Sequence, residues 1–152
     1  IKKPIFIKMP ISETNQATMS LLEVAANFPS IKGVIFGNLQ TNRGHPLIDQ
    51  KEIEKYPQGK FSGRPTFERS NELIKLAYGR FKERFIIIGC GGIFSAQDAY
   101  AKIKLGASLV QLITGLVYEG PFLISKINLE LIELLKKDGY KNVSEAIGAE
   151  ND

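Results

Sequence analysis

The stretch IIIGCGGIFSAQDA, Ile86 to Ala99, ends an apolar run in Gly89, Gly91 and Gly92 and then places Ser95 where a helix would open. Glycines at such a point let backbone N–H groups approach an anion, because no Cβ intrudes. A helix N-terminus behind them adds partial positive charge. The chemistry that suits this arrangement is binding of a phosphate group. ITG, Ile113 to Gly115, closes a second apolar run and offers backbone donors with the Thr114 hydroxyl. GKFSGRP, Gly59 to Pro65, sets Ser62 and Gly63 before a helix, a pattern that plain turn chemistry also produces.

Other chemistry-bearing residues are sparse. Lys8 interrupts the apolar run IFIKMP, where it either points to solvent at an open edge or, as a barrel favours, projects from the strand's C-terminal end into a site. Asn38 ends GVIFGN, where its amide can donate to and accept from a planar polar ligand or can close a turn. Cys90, the single cysteine, has no cationic side chain near it in sequence and reads as a small buried residue. His45 precedes a proline in RGHPL and reads as a loop residue. The chain holds no HExxH, Walker or GxGxxG motif.

The elements that must position these residues repeat one unit four times. Strands are expected at Pro4 to Met9, Gly33 to Asn38, Arg84 to Cys90 and Ser108 to Gly115. Helices follow at Glu13 to Phe28, Phe67 to Gly79, Ala96 to Leu105 and Pro121 to Asp138. Ser12 and Ser95 are the expected N-caps of the first and third, with Asp98 completing a capping box. Pro121 suits a helix start and Gly139 a helix end. A short helix is expected at Ser144 to Ile147 and a helical turn at Glu52 to Tyr56. The connection from Leu39 to Thr66 is long enough to suggest a functional role.

Nearly continuous apolar strands alternating with helices indicate an α/β fold with a parallel sheet. An open doubly wound sheet and a (β/α)8 TIM barrel both satisfy that pattern. A whole barrel takes about 250 residues, so four units in 152 residues would be half a barrel, and one such half is the last four units. In that case the third and fourth strands are those whose loops commonly hold phosphate.

Composition narrows the class without deciding it. Apolar residues are 43% and charged residues 24%, with a net charge of +4, as in ordinary globular chains. Lys2, Lys3, Lys75, Arg80, Lys82, Arg84, Lys102, Lys104, Lys136 and Lys137 are scattered and read as solvated helix faces and ends. Nucleic acid is not expected as a partner, because the cations lack clustering with stacking aromatics. One cysteine excludes an internal disulfide and a multi-cysteine zinc site, and no metal is expected.

GKFSGRP, IIIGCGGIFSAQDAYAKIKLGASLVQLITGLVYEGP and the ending SEAIGAEND together resemble the C-terminal half of class 2, quinone-dependent dihydroorotate dehydrogenases. The resemblance covers nearly the whole chain. It implies an FMN-binding (β/α)8 barrel, with Gly91, Gly92, Ile113 and Thr114 holding the FMN phosphate through backbone N–H groups, joined by Ser62 and Gly63. It implies that Lys8 and Gly37 lie at the flavin and that Asn38 binds the pyrimidine. The family commonly has Thr-Asn-Thr where this chain has Gly37-Asn38-Leu39, and an aromatic residue at Ile113.

The resemblance further implies oxidation of dihydroorotate to orotate in pyrimidine biosynthesis, with a quinone acceptor. The general base, a serine, would sit in an N-terminal half that this chain lacks, so residues 1–152 would be inactive alone and would associate with that half or with themselves. That half would also make the membrane contact, at a bacterial inner membrane on its cytoplasmic side or at a mitochondrial inner membrane, and this segment itself would be soluble. Two other readings fit the residues: a phosphate-binding barrel isomerase or synthase without flavin, and a degenerate half barrel serving as an interaction module.

Overall fold

The computed structural model describes residues 3–151; Ile1, Lys2 and Asp152 lie outside the described residues. Four parallel strands form one sheet in the order β1 (Ile5–Met9), β2 (Ile31–Phe36), β3 (Ile86–Cys90) and β4 (Leu109–Gln111). Each strand pairs with the next in sequence. That order has no reversal, which a doubly wound sheet requires, and is the local order of a barrel wall.

The connections are helical: α1 (Asn15–Ala26), then a long excursion with α2 (Gln50–Ile53) leading into α3 (Phe67–Phe81), then α4 (Ala96–Lys104). Beyond β4 come α5 (Thr114–Glu119), α6 (Leu123–Lys137) and α7 (Val143–Ala146). The main core lies between the central strands and the helices α1 and α3. Leu22, Val34, Phe36, Leu73 and Ile74 are wholly buried there. Truncating one such leucine to alanine costs about 2–5 kcal/mol.

Several boundaries differ from the sequence expectation, each for a local reason. Thr14 rather than Ser12 caps α1, accepting from the Ala17 N–H at 3.2 Å. The chain is still running into the core at Ile11, whose carbonyl is held by the Arg69 guanidinium, so the helix cannot begin earlier. Helix α3 continues through Gly79 to Phe81. Helix α5 was not expected; Gly120, at φ +81°, ends it, and α6 therefore starts at Leu123 rather than Pro121. Gly139 does follow the end of α6, at φ +83°. Ser95 caps α4 as expected, accepting from the Asp98 N–H. Asp98 does not close the box on Ser95; its carboxylate takes the Phe94 N–H at 2.9 Å instead.

Two cations expected on the surface are structural. Arg84 donates to the carbonyls of Ala26, Phe28 and Ile31 and ties the α1–β2 turn to the sheet. Lys102 is fully buried. The excursion from Leu39 to Thr66 is a compact loop. Gln40 and Phe61 exchange both backbone hydrogen bonds, and Arg43 donates to the carbonyls of Ile53 and Tyr56. The segment after α7 folds back over α3 and α4. The Tyr78 hydroxyl donates to the Ile147 carbonyl at 3.1 Å, and the Asn151 amide donates to the carbonyls of Lys75 and Leu105. Gly106 and Gly148 both lie against the Tyr78 ring, where a Cβ would come within 2.3 and 2.1 Å of it.

Candidate functional site

Parallel strands bring their C-terminal ends to one side, and the turns that leave them meet there. A cavity of about 520 Å³ opens at that side. Lys8 reaches it from β1, and Gly37 and Asn38 from the end of β2. Ser62 and Gly63 come from the excursion, Gly91 and Gly92 from the β3–α4 turn, and Ile113 and Thr114 from the β4–α5 turn. The structure thus gathers the residues expected to bind a cofactor or substrate, though not His45, around one space of ligand size.

The donors there are backbone groups. Outside the helix and strand ladders, the N–H groups of Gly91, Gly92 and Thr114 make no hydrogen bond among the described residues. The Thr114 hydroxyl donates to Ser62 Oγ at 3.0 Å, which joins the β4–α5 turn to the SGRP turn. These groups form a donor-rich, partly exposed cradle. Such a cradle fits a phosphate monoester, whose oxygens accept several hydrogen bonds at once.

The glycines also serve a purpose that was not expected. A Cβ on Gly91 would meet Thr66 Oγ1 at 2.3 Å, and one on Gly92 would meet the Phe67 Cβ at 2.5 Å. Both glycines have positive φ, +97° and +73°. A side chain at either position is thus excluded by the start of α3 behind the turn. Gly37, at φ +128°, would bring a Cβ to 1.9 Å from the Cys90 carbonyl oxygen. On this backbone the family's threonine does not fit at residue 37. Gly89 belongs to the strand, and its bare Cα leaves room for the Lys102 stem, 2.9 Å from where a Cβ would stand.

Lys8 is exposed and forms no ion pair among the described residues. Asn38 Oδ1 accepts from the Leu39 N–H at 2.9 Å, a turn contact that leaves Nδ2 free to donate. Cys90 is half-buried rather than buried, and its side lines the cavity. His45 Nδ1 accepts from the Leu47 N–H within its own loop.

Sequence reading missed the polar groups that hold the turns. Arg64 pairs with Asp98 through two bonds of 2.6 and 2.8 Å and lies over the rings of Phe67 and Phe94. Burial pushes the Asp98 carboxyl up, but the bonds from Arg64, Phe94 and Ser95 outweigh it and hold the pKa below the ordinary value. The Thr66 hydroxyl donates to the Gly63 carbonyl at 2.7 Å. Gln111 and Asn128 also line the cavity. The adjacency of Arg64 to Gly63 and of Asp98 to the GGIFS turn was the available signal.

These features define a barrel-type α/β chain with an anion-suited cradle at the strand ends. The chain belongs to the dihydroorotate dehydrogenase family, whose family model matches residues 1–135. It is 36% identical to the dihydroorotate dehydrogenase (quinone) of Trichodesmium erythraeum, over 99% of this chain and 40% of that protein. It is 40% identical to the protein of the same name from Nautilia profundicola, over 97% and 39%. A crystal structure of the Eimeria tenella DHODH with ferulenol superposes with a TM-score of 0.84 at 30% identity, covering 95% of this chain and 37% of that one. The four-stranded sheet is therefore part of a barrel of this kind, and the chain spans about two fifths of the length of these relatives. Family membership does not favour the flavin-free isomerase or synthase. Among the described residues no helix is long and apolar enough to cross a membrane, and no cluster of His, Cys, Asp or Glu could hold a metal.

Proposed function

We propose that this chain is the FMN-anchoring part of a quinone-dependent dihydroorotate dehydrogenase, with residues 1–152 forming the C-terminal half of its barrel. The observation that carries this reading is the convergence of the backbone at Gly91, Gly92 and Thr114 with the Ser62–Thr114 hydroxyl pair around one cavity. These groups, with Ile113 and Gly63, hold the FMN phosphate. Bound FMN supplies a two-electron acceptor for oxidation of dihydroorotate to orotate, and a quinone takes the electrons onward.

Lys8 places an unpaired cation on the cavity wall, where it favours negative charge on a bound ring system. Asn38 offers its free Nδ2 to an acceptor on the substrate. Residues 37 and 39 bring no hydroxyl to that contact, so Asn38 acts without the help that Thr-Asn-Thr would give. The general base, the membrane contact at a bacterial or mitochondrial inner membrane, and the remaining strands belong to sequence other than these residues.

The test compares the full-length protein with residues 1–152 alone, each assayed for yellow flavin absorbance and for quinone reduction by dihydroorotate. Full-length protein is expected to carry flavin and turn over, and the segment to be inactive. Turnover by the segment would refute this division of labour. A colourless full-length protein carrying a sugar phosphate would refute the flavin.

A further inference from the structure

Lys102 on α4 is wholly buried and has no carboxylate within ion-pair distance among the described residues. Burying an ammonium is costly unless each of its donors is used. Two hydrogen bonds and one aromatic face surround it. Nζ donates to Ser70 Oγ at 3.0 Å and to Asn71 Oδ1 at 2.8 Å, and it lies 4.8 Å from the centre of the Phe67 ring. The strand beneath is shaped for it, since Gly89 leaves room for its stem.

What these partners touch gives the arrangement its meaning. Ser70 Oγ lies 2.7 Å from the Cys90 carbonyl oxygen and 3.2 Å from that of Phe36. Those carbonyls immediately precede Gly91 and Gly37. Phe67, under the ammonium, is the residue that closes against Gly92. One buried cation therefore holds the groups behind all three glycines where β2 and β3 end.

We propose that Lys102 is a positioning residue of the phosphate cradle: by fixing Ser70 and Phe67 it sets the spacing and direction of the turns at Gly37, Gly91 and Gly92. It touches no ligand itself. Its role toward FMN rests on the function proposed above, whereas its role toward the turns does not. A buried ammonium suits this task better than an apolar side chain. Packing alone would fill the space, but two directed hydrogen bonds and a ring contact also fix orientation.

The test uses full-length protein and the variants Lys102→Met, Ser70→Ala and their double, with Lys136→Met as a surface control. Two quantities are read: dissociation constants for FMN and for riboflavin, which lacks the phosphate, and hydrogen exchange of peptides spanning residues 33–40 and 86–95. Lys102→Met is expected to weaken FMN on the order of tenfold or more while riboflavin binding is unchanged. Exchange in both peptides should rise, with little change in α1. Ser70→Ala should act in the same direction and less strongly. The double variant should match Lys102→Met, because both residues lie on one path. Lys102→Met can keep or raise the melting temperature, since an apolar isostere escapes the desolvation cost.

Unchanged exchange at the two turns would overturn the proposal. So would equal losses of FMN and riboflavin accompanied by exchange throughout the chain, which mark a purely structural role. If the wild-type protein holds no FMN, the flavin reading falls, and the exchange measurement still decides the role of Lys102.

Discussion

The two turns that face each other across the cradle are built in opposite ways. The β3–α4 turn is backed on every side by the chain's own groups: Thr66 and Phe67 behind the glycines, the Arg64–Asp98 pair beside them, and Ser70 with Lys102 beneath. The β4–α5 turn follows a strand of three residues and opens a helix with no side-chain cap. Ile113 is 74% exposed, and Val117 and Tyr118 are more exposed still. Gly115 lies on the Ile93 carbonyl, where a Cβ would come within 2.1 Å, and Thr114 is held by Ser62. The second turn is thus held largely by the first turn and the SGRP loop. Order at this site runs in one direction, from β3–α4 outward.

The strongest blow to that arrangement is Gly92→Val. It forces a β-branched residue to φ +73° and drives a side chain into Phe67. We expect loss of flavin retention and about 2–3 kcal/mol of stability, read by absorbance and denaturant unfolding. A variant that kept its flavin would remove the distinction between the turns.

Asp98→Asn comes next, at about 1–3 kcal/mol, since it weakens two charged bonds from half-exposed Arg64. The Asp98 pKa is lowered in the fold, so its stabilising effect is complete above the ordinary carboxylate value and is lost as pH falls through the lowered one. Acid unfolding of the variant should lack that component.

Lys102 sharpens the contrast through pH. Burial pushes its pKa down to about 7, while Cys90 on β3, Asp98 on α4 and Glu68 on α3 pull it up. Between about 7 and the ordinary value of 10.5 the unfolded chain binds more protons than the folded one. Stability from this group therefore rises with pH across that window. The melting temperature of the wild type relative to Lys102→Met should rise across that window. The smallest effect belongs to Cys90→Val, within about 0.5 kcal/mol and with flavin retained, because the Cys90 carbonyl rather than its thiol is engaged.

Four strand–helix units were legible in the sequence because strand periodicity and helix stop signals are local. The phosphate-suited residues were legible for the same reason, as glycines at the ends of apolar runs. What escaped was set by distant parts of the chain. Ser12 lost the capping role to Thr14 because Arg69, more than fifty residues on, holds the Ile11 and Glu13 carbonyls. Lys102 looked like a solvated helix residue, since the groups that satisfy it stand on another helix. Helix α5 was missed because six residues give too little periodicity to read. The glycines were found for an incomplete reason: their missing side chains admit Thr66 and Phe67 as much as any anion.

Tyr78 carries a consequence for the order in which the molecule is made. Its ring is covered by Gly106 and Gly148, and its hydroxyl is bonded to a carbonyl 69 positions later in the chain. During synthesis α3 leaves the ribosome long before that cover exists. Until residues 147–151 arrive, one flank of the helix that backs the cradle stays open to water and to other nascent chains. Cellular yield should therefore depend steeply on residues 147–151.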